Sequence, residues 1–126
     1  MDSTAKKKIL LVDDDKEFVN LFTSIIESEG YIVEVAFSGQ QALDKFKKSA
    51  FDLLILDIKL PDMNGDKVAK KVRDKDKNIV IIIITGFPEL QDSITALDIG
   101  IHDILLKPIS SSEILRSIKE AFNFLK

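Results

Sequence analysis

The chain has 126 residues, enough for one well-buried core and too few for two, and its 45% hydrophobic and 31% charged residues are ordinary globular values that argue against disorder. Eighteen basic against 21 acidic side chains leave a net charge of −3, which gives the domain no electrostatic reason to bind nucleic acid or an anionic membrane. The absence of cysteine excludes disulfides and thiolate metal sites, and the polar start carries neither a signal-peptide core nor a membrane span, so a soluble cytoplasmic protein is expected.

Residues 1–7 read as a polar tail and 8–126 as the folded domain. From there, short runs rich in Ile, Leu and Val alternate with amphipathic stretches, the pattern of βα repeats on a parallel sheet. The first run, Ile9-Leu10-Leu11-Val12, meets Asp13 and Asp14. Asp15 is placed to cap a helix from about Lys16 to Glu29, in which Phe18, Leu21, Phe22, Ile25 and Ile26 recur at helical spacing before Gly30 stops it. Ile32 to Ala36 is a second strand, and Ser38 with Gln41 forms a capping box for a helix burying Ala42, Leu43 and Phe46.

The third run, Leu53-Leu54-Ile55-Leu56, ends in Asp57 and enters a loop punctuated by Pro61 and Gly65. A lysine-rich helix follows with Val68, Ala69 and Val72 inward; its lysines read chiefly as a solvated face. Ile79 to Ile84 has no polar interruption, as a strand covered on both faces would. Glu89 to Leu97 is only weakly helical, with Leu90, Ile94 and Leu97 apolar, and Gly100 ends it. Asp103 to Leu106 reads as the last strand, and Ser110 with Glu113 as a second capping box. The final helix carries Ile114, Leu115, Ile118, Ala121, Phe122 and Leu125 on one stripe, with Phe124 at its edge. His102, near a glycine turn, is assigned no role.

If these runs are neighbouring parallel strands, their carboxyl ends gather Asp13, Asp14, Asp57, Thr85 and Lys107 at the sheet edge where open α/β folds bind ligands. Adjacent carboxylates repel one another, and a hard cation such as Mg²⁺ relieves that repulsion through oxygen ligands. An isolated Asp-Asp pair before a helix is explained by capping and the helix dipole, which suffices for Asp15. Asp57 changes the balance, because a carboxylate beside Mg²⁺ can both ligate the ion and attack phosphorus to give an acyl phosphate. Lys107 can neutralise oxyanion charge and the Thr85 hydroxyl can donate to a phosphate oxygen. Singly, these residues also suit a turn, a solvated charge and a β-branched strand position; together they form a coherent site.

Leu11-Val12-Asp13-Asp14, the stretch Leu56-Asp57-Ile58-Lys59-Leu60-Pro61-Asp62-Met63-Asn64-Gly65, Thr85-Gly86 and Lys107-Pro108 closely resemble the receiver domain of two-component response regulators, in order and separation, from about residue 8 to 125. The resemblance implies a flavodoxin-like, doubly wound α/β fold: a five-stranded parallel sheet in order 2-1-3-4-5 with five helices. It implies transfer of a phosphoryl group to Asp57 with Mg²⁺ from a sensor histidine kinase or histidine phosphotransfer protein, to control an unknown output partner or effector domain. By the family pattern Asp13, Asp14 and Asp57 contact the ion directly or through water, Lys59 adds its backbone carbonyl, and Thr85 and Lys107 hold the phosphoryl oxygens. The Lys107-Pro108 bond is expected to be cis. No nucleic-acid contact, membrane contact or turnover of an external substrate is expected.

One position departs from the pattern. Three residues before the lysine, receivers usually carry a ring that swings inward, and here the residue is Ile104. An aliphatic side chain neither hydrogen-bonds nor presents a ring face, so transmission is expected to rely on Thr85 and the Gly86-Phe87-Pro88 loop. A flavodoxin-type carrier would need a first loop that cradles phosphate, which the three aspartates would repel. A phosphatase of the haloacid dehalogenase type needs a second acid where Lys59 stands. A scaffold-only receiver fits less well with every charged site position present.

Overall fold

The computed structural model describes residues 6–123. The five expected strands form one parallel sheet in the order β2-β1-β3-β4-β5, with β1 Lys8–Val12, β2 Ile32–Ala36, β3 Leu53–Asp57, β4 Val80–Thr85 and β5 Ile101–Leu106. Helices α1 Lys16–Glu27, α2 Gly39–Lys48, α3 Gly65–Lys75, α4 Gln91–Thr95 and α5 Ser111–Asn123 make the connections. The order reverses beside β1, which opens a crevice at the carboxyl ends of β1 and β3.

The alternation of side chains along each strand divides the core into two layers. Leu10, Val12, Leu54, Leu56, Ile81 and Ile83 face α2, α3 and α4, together with Ala42, Val68, Ala69, Val72 and Ile94. Ile9, Leu11, Leu53, Ile55, Ile82 and Ile84 face α1 and α5, together with Val19, Phe22, Ile26, Ile114 and Ile118. The three central strands are therefore buried on both sides, as the uninterrupted apolar runs predict.

Capping follows the sequence closely. Asp15 accepts from the N–H groups of Glu17 and Phe18 at 3.1 and 3.2 Å. Ser110 and Glu113 bond reciprocally through Glu113 N to Ser110 Oγ at 3.1 Å and Ser110 N to Glu113 Oε1 at 3.2 Å. In the first box Ser38 accepts from Gln41 N at 3.1 Å, but the Gln41 amide reaches one residue further back, to Phe37 N at 2.9 Å.

Several boundaries differ from expectation. Helix α1 stops at Glu27, two residues early, because the chain tightens into Glu29 N to Ile26 O and Gly30 N to Glu27 O bonds ahead of Gly30 at φ +95°. The weak fourth helix is divided into a 3₁₀ turn, Pro88–Leu90, and the single α-turn of α4. Strand β5 starts at Ile101 rather than Asp103, so His102 lies within β5, at the register shift between the Ile81–Ile101 and Ile82–Asp103 pairs.

Arg73 accounts for the last difference. Its guanidinium donates to the carbonyls of Ile99 at 2.7 Å, Ile79 at 2.6 Å, Gly100 at 3.2 Å and Asp76 at 3.3 Å. These bonds tie the approaches to β4 and β5 together, so pairing begins at Ile81 and Ile101. The same bond consumes the Ile79 carbonyl while Asp76 Oδ1 takes the Ile79 N–H at 3.1 Å, which leaves Ile79 just outside β4. Residues 1–5 of the expected tail, and Phe124 and Leu125 of the last helix, lie outside the described residues.

Candidate functional site

The carboxyl ends of β1, β3, β4 and β5 converge as the apolar runs predict. Register brings Val12 beside Leu56 and Asp57 beside Ile84, so Asp13, Asp57 and Thr85 each stand at or just past the last paired step of a central strand. Lys107 follows β5, where its N–H donates to the Thr85 carbonyl at 2.8 Å. The Lys107-Pro108 peptide is cis.

Asp13, Asp14 and Asp57 each offer a carboxylate oxygen, and these atoms lie within 4.8 Å of one another. Asp13 and Asp57 are buried while Asp14 is exposed. The Lys107 ammonium reaches Asp13 Oδ2 at 2.6 Å and Asp57 Oδ2 at 3.3 Å, and it lies 4.6 Å from the centre of the Phe18 ring. One cation therefore bridges the two buried carboxylates.

Electrostatics follow from this crowding. Burial penalises the charged form of Asp57 and raises its pKa; the Lys59 N–H opposes that rise, whereas the neighbouring Asp13 charge adds to it. Burial acts to lower the Lys107 pKa, but the hydrogen bond to Asp13 and the charges of Asp57 and Asp13 prevail and hold it above the usual lysine value. Three carboxylates thus face one ammonium, a deficit that a divalent cation matches. The donor set is all oxygen, and Asp14 opens it to solvent on one side. These residues fit Mg²⁺, which takes a few carboxylates and retains waters.

The remaining expected residues sit around this centre. Thr85 is fully buried, and its Oγ1 accepts from Phe87 N at 3.0 Å, which turns the chain immediately after β4. The Lys59 N–H donates to Asp57 Oδ1 at 3.1 Å, holding the carboxylate oxygen that Lys107 does not contact. The Lys59 ammonium rests 4.5 Å from the centre of the half-exposed Phe87 ring, linking the loops after β3 and β4.

Loop geometry rests on Gly65, which the sequence marks as loop punctuation, and on Asp62. Gly65 N donates to Ile58 O at 2.6 Å, and a Cβ at Gly65 would fall 2.5 Å from the Asp57 carbonyl oxygen and 2.8 Å from Ile58 Cα. Only glycine permits this approach. Asp62 accepts from Gly39 N at 2.8 Å and Gln40 N at 2.9 Å, capping α2 from the acceptor loop; those bonds hold its carboxyl below the usual range. Pro61 and Gly65 mark the loop in the sequence, but the α2 partners of Asp62 are more than twenty positions away.

Among the described residues, no helix is long and apolar enough to cross a membrane. The family model for the response regulator receiver domain matches residues 9–119. The chain is 37% identical over 112 residues to the transcriptional regulatory protein TrcR of Mycobacterium tuberculosis, covering 89% of this chain and 44% of that protein. It thus spans less than half the length of this curated relative. A receiver domain protein from Methanospirillum hungatei superposes with a TM-score of 0.89 at 34% identity, over 94% of this chain and 95% of that one. The response regulator protein TrrA from Thermotoga maritima, solved in complex with Mg²⁺ and BeF, gives a TM-score of 0.83 at 30% identity, over 91% of this chain and 98% of that one.

Proposed function

The chain belongs to the response regulator receiver domain family, and from that premise we propose that Asp57 accepts a phosphoryl group from a phosphohistidine donor and that the acyl phosphate alters the surface offered to a partner. Residues 8–126 constitute the receiver in this reading and 1–7 its tail. The domain acts on its own aspartate and not on an external substrate. The observation that carries the proposal is the meeting of Asp13, Asp14 and Asp57 with Lys107 at one sheet edge.

In the transfer, a carboxylate oxygen of Asp57 forms the new bond to phosphorus while the bond from phosphorus to the donor imidazole nitrogen breaks. The leaving nitrogen keeps the electron pair, and with a proton already carried on the other ring nitrogen the donor histidine departs as neutral imidazole. Burial favours this step, since a poorly solvated carboxylate has little water to shed before it attacks. Lys59 N–H holds one Asp57 oxygen, which orients the carboxylate. Lys107, already drawn toward Asp57, shifts its ammonium to the incoming phosphoryl oxygens, and the Thr85 hydroxyl donates to another while its oxygen still accepts from Phe87 N.

Asp13, Asp14 and Asp57, with the Lys59 carbonyl, would hold Mg²⁺. When bound, the ion screens the repulsion among the carboxylates and withdraws charge from the phosphoryl oxygens. The donor is a sensor histidine kinase or a histidine phosphotransfer protein, and the recipient of the signal is an output partner or effector domain. A cytoplasmic location accompanies that assignment.

The test is labelling by a small phosphodonor, acetyl phosphate, read by intact mass. The chain should gain one phosphoryl group only when Mg²⁺ is present, and Asp57→Asn should gain none. Equal labelling of Asp57→Asn would move the acceptor elsewhere and overturn the assignment.

A further inference from the structure

Helices α2 and α3 carry eight of the chain's 18 basic side chains against three acidic ones, Asp44, Asp66 and Asp74, a surplus of five in a chain whose net charge is −3. Part of this surplus has a local explanation. Lys45, Lys47 and Lys48 lie in the last turn of α2 and Lys75 in the last turn of α3, where the helix dipole favours cations. Lys45 is also paired with Glu34 at 3.5 Å. Lys71 lies before the last turn of α3, yet it lines the same groove as Lys47 and Lys75.

That groove, between α2 and α3, has a volume of about 420 Å³ and includes Leu43 and Phe46, half-buried side chains that pack against the core. Lys47, Lys71 and Lys75 are exposed, and among the described residues none has an ion-pair partner within 4.0 Å. Three like charges around one apolar floor repel each other, and the helix dipole offsets that repulsion only for Lys47 and Lys75. Such an arrangement lowers the energy only when an anion with apolar substance enters it.

We propose that the α2–α3 groove docks an acidic segment of a protein partner, whose carboxylates meet Lys47, Lys71 and Lys75 while an aliphatic or aromatic side chain covers Leu43 and Phe46. A phosphodiester backbone has no apolar side chain for that floor, whereas an acidic peptide supplies carboxylates and an apolar side chain together. None of its lining residues belongs to the acidic centre.

The test is an amide chemical-shift titration of the whole chain with a short synthetic peptide that sets glutamates around a Leu-Phe pair. Shifts should concentrate at residues 40–47 and 67–75. A Lys47→Glu, Lys71→Glu, Lys75→Glu variant should weaken binding about tenfold or more, as expected for charge-driven docking, and raised salt should weaken the wild type. Replacing the Leu-Phe pair by serines should also weaken it. If the triple variant fails to fold, Lys71→Gln alone should still reduce affinity. Absent or scattered shifts, or unchanged affinity in a folded variant, would overturn the proposal. So would stronger binding at the same residues by duplex DNA, by phosphatidylserine vesicles, or by a second copy of this chain seen in sedimentation.

Discussion

On the β1–β3 side of the sheet, Ile9 to Asp13 and Leu53 to Ile58 are all buried, and the connections run through helices of 12, 10 and 11 residues. On the β4–β5 side, α4 has five residues, Asp98 takes a left-handed φ of +53°, the ladder shifts register between Ile81 and Ile82, and only Leu105 of β5 is buried. The acidic centre hangs from the first side, whereas Thr85 and Lys107 reach it from the second. Chemistry that needs fixed carboxylates is thus anchored in the dense half, and of the two groups that would follow a phosphoryl oxygen Thr85 ends the buried β4 while Lys107 follows β5, a strand with only one buried residue.

The largest effect expected from disturbing this division is at the bridge between the halves. Lys107→Met removes the cation from Asp13, which is fully buried, and should cost roughly 3 kcal/mol of stability without divalent ions. Urea unfolding measures it, and Mg²⁺ should recover part of the loss because it supplies positive charge to the same carboxylates. A variant as stable as the wild type would show that the lysine does not neutralise the pair.

Next in size, Gly65→Ala drives a methyl group into the backbone of Asp57 and Ile58 and should cost about 1–3 kcal/mol. It should also slow labelling, since the acceptor loop must shift. Unchanged stability and rate would mean that the dense half tolerates backbone movement. Arg73→Ala attacks the other half by freeing the carbonyls of Ile79, Ile99 and Gly100, with a loss of about 1–3 kcal/mol. Hydrogen exchange should rise first around residues 98–102 and leave β1 and β3 protected; uniform exchange would erase the contrast between the halves. The smallest effect on chemistry is expected from Ile104→Tyr, which restores a ring on half-buried β5. Labelling should persist while affinity for an output partner changes, and complete loss of labelling would show that β5 controls the acid site itself.

Most of the dense half was legible from the sequence. Its strands are apolar runs that end abruptly in carboxylates, its helices have regular stripes, and Asp15 caps where its position predicts. The site was legible for the same reason: parallel strands put every run's polar terminus at one edge. Arg73 and Asp62 escaped because their partners are backbone groups on distant segments, with no periodic trace in the chain. The start of β5 escaped with them, since Arg73 sets it through Ile99 and Gly100. Helix α4 was faint in the sequence and is short in the fold, so there weak amphipathic pattern and weak structure have one cause, the small apolar face offered by Leu90, Ile94 and Leu97.

The central claim is that Asp57 becomes an acyl phosphate in a carboxylate centre occupied by Mg²⁺. It is tested most directly by treating the chain with acetyl phosphate and Mg²⁺, reducing it with borohydride and mapping the product by peptide mass. Reduction should convert residue 57 alone to homoserine, and only when both reagents were present. Homoserine at another aspartate, or an equal yield in the presence of excess chelator, would contradict the account.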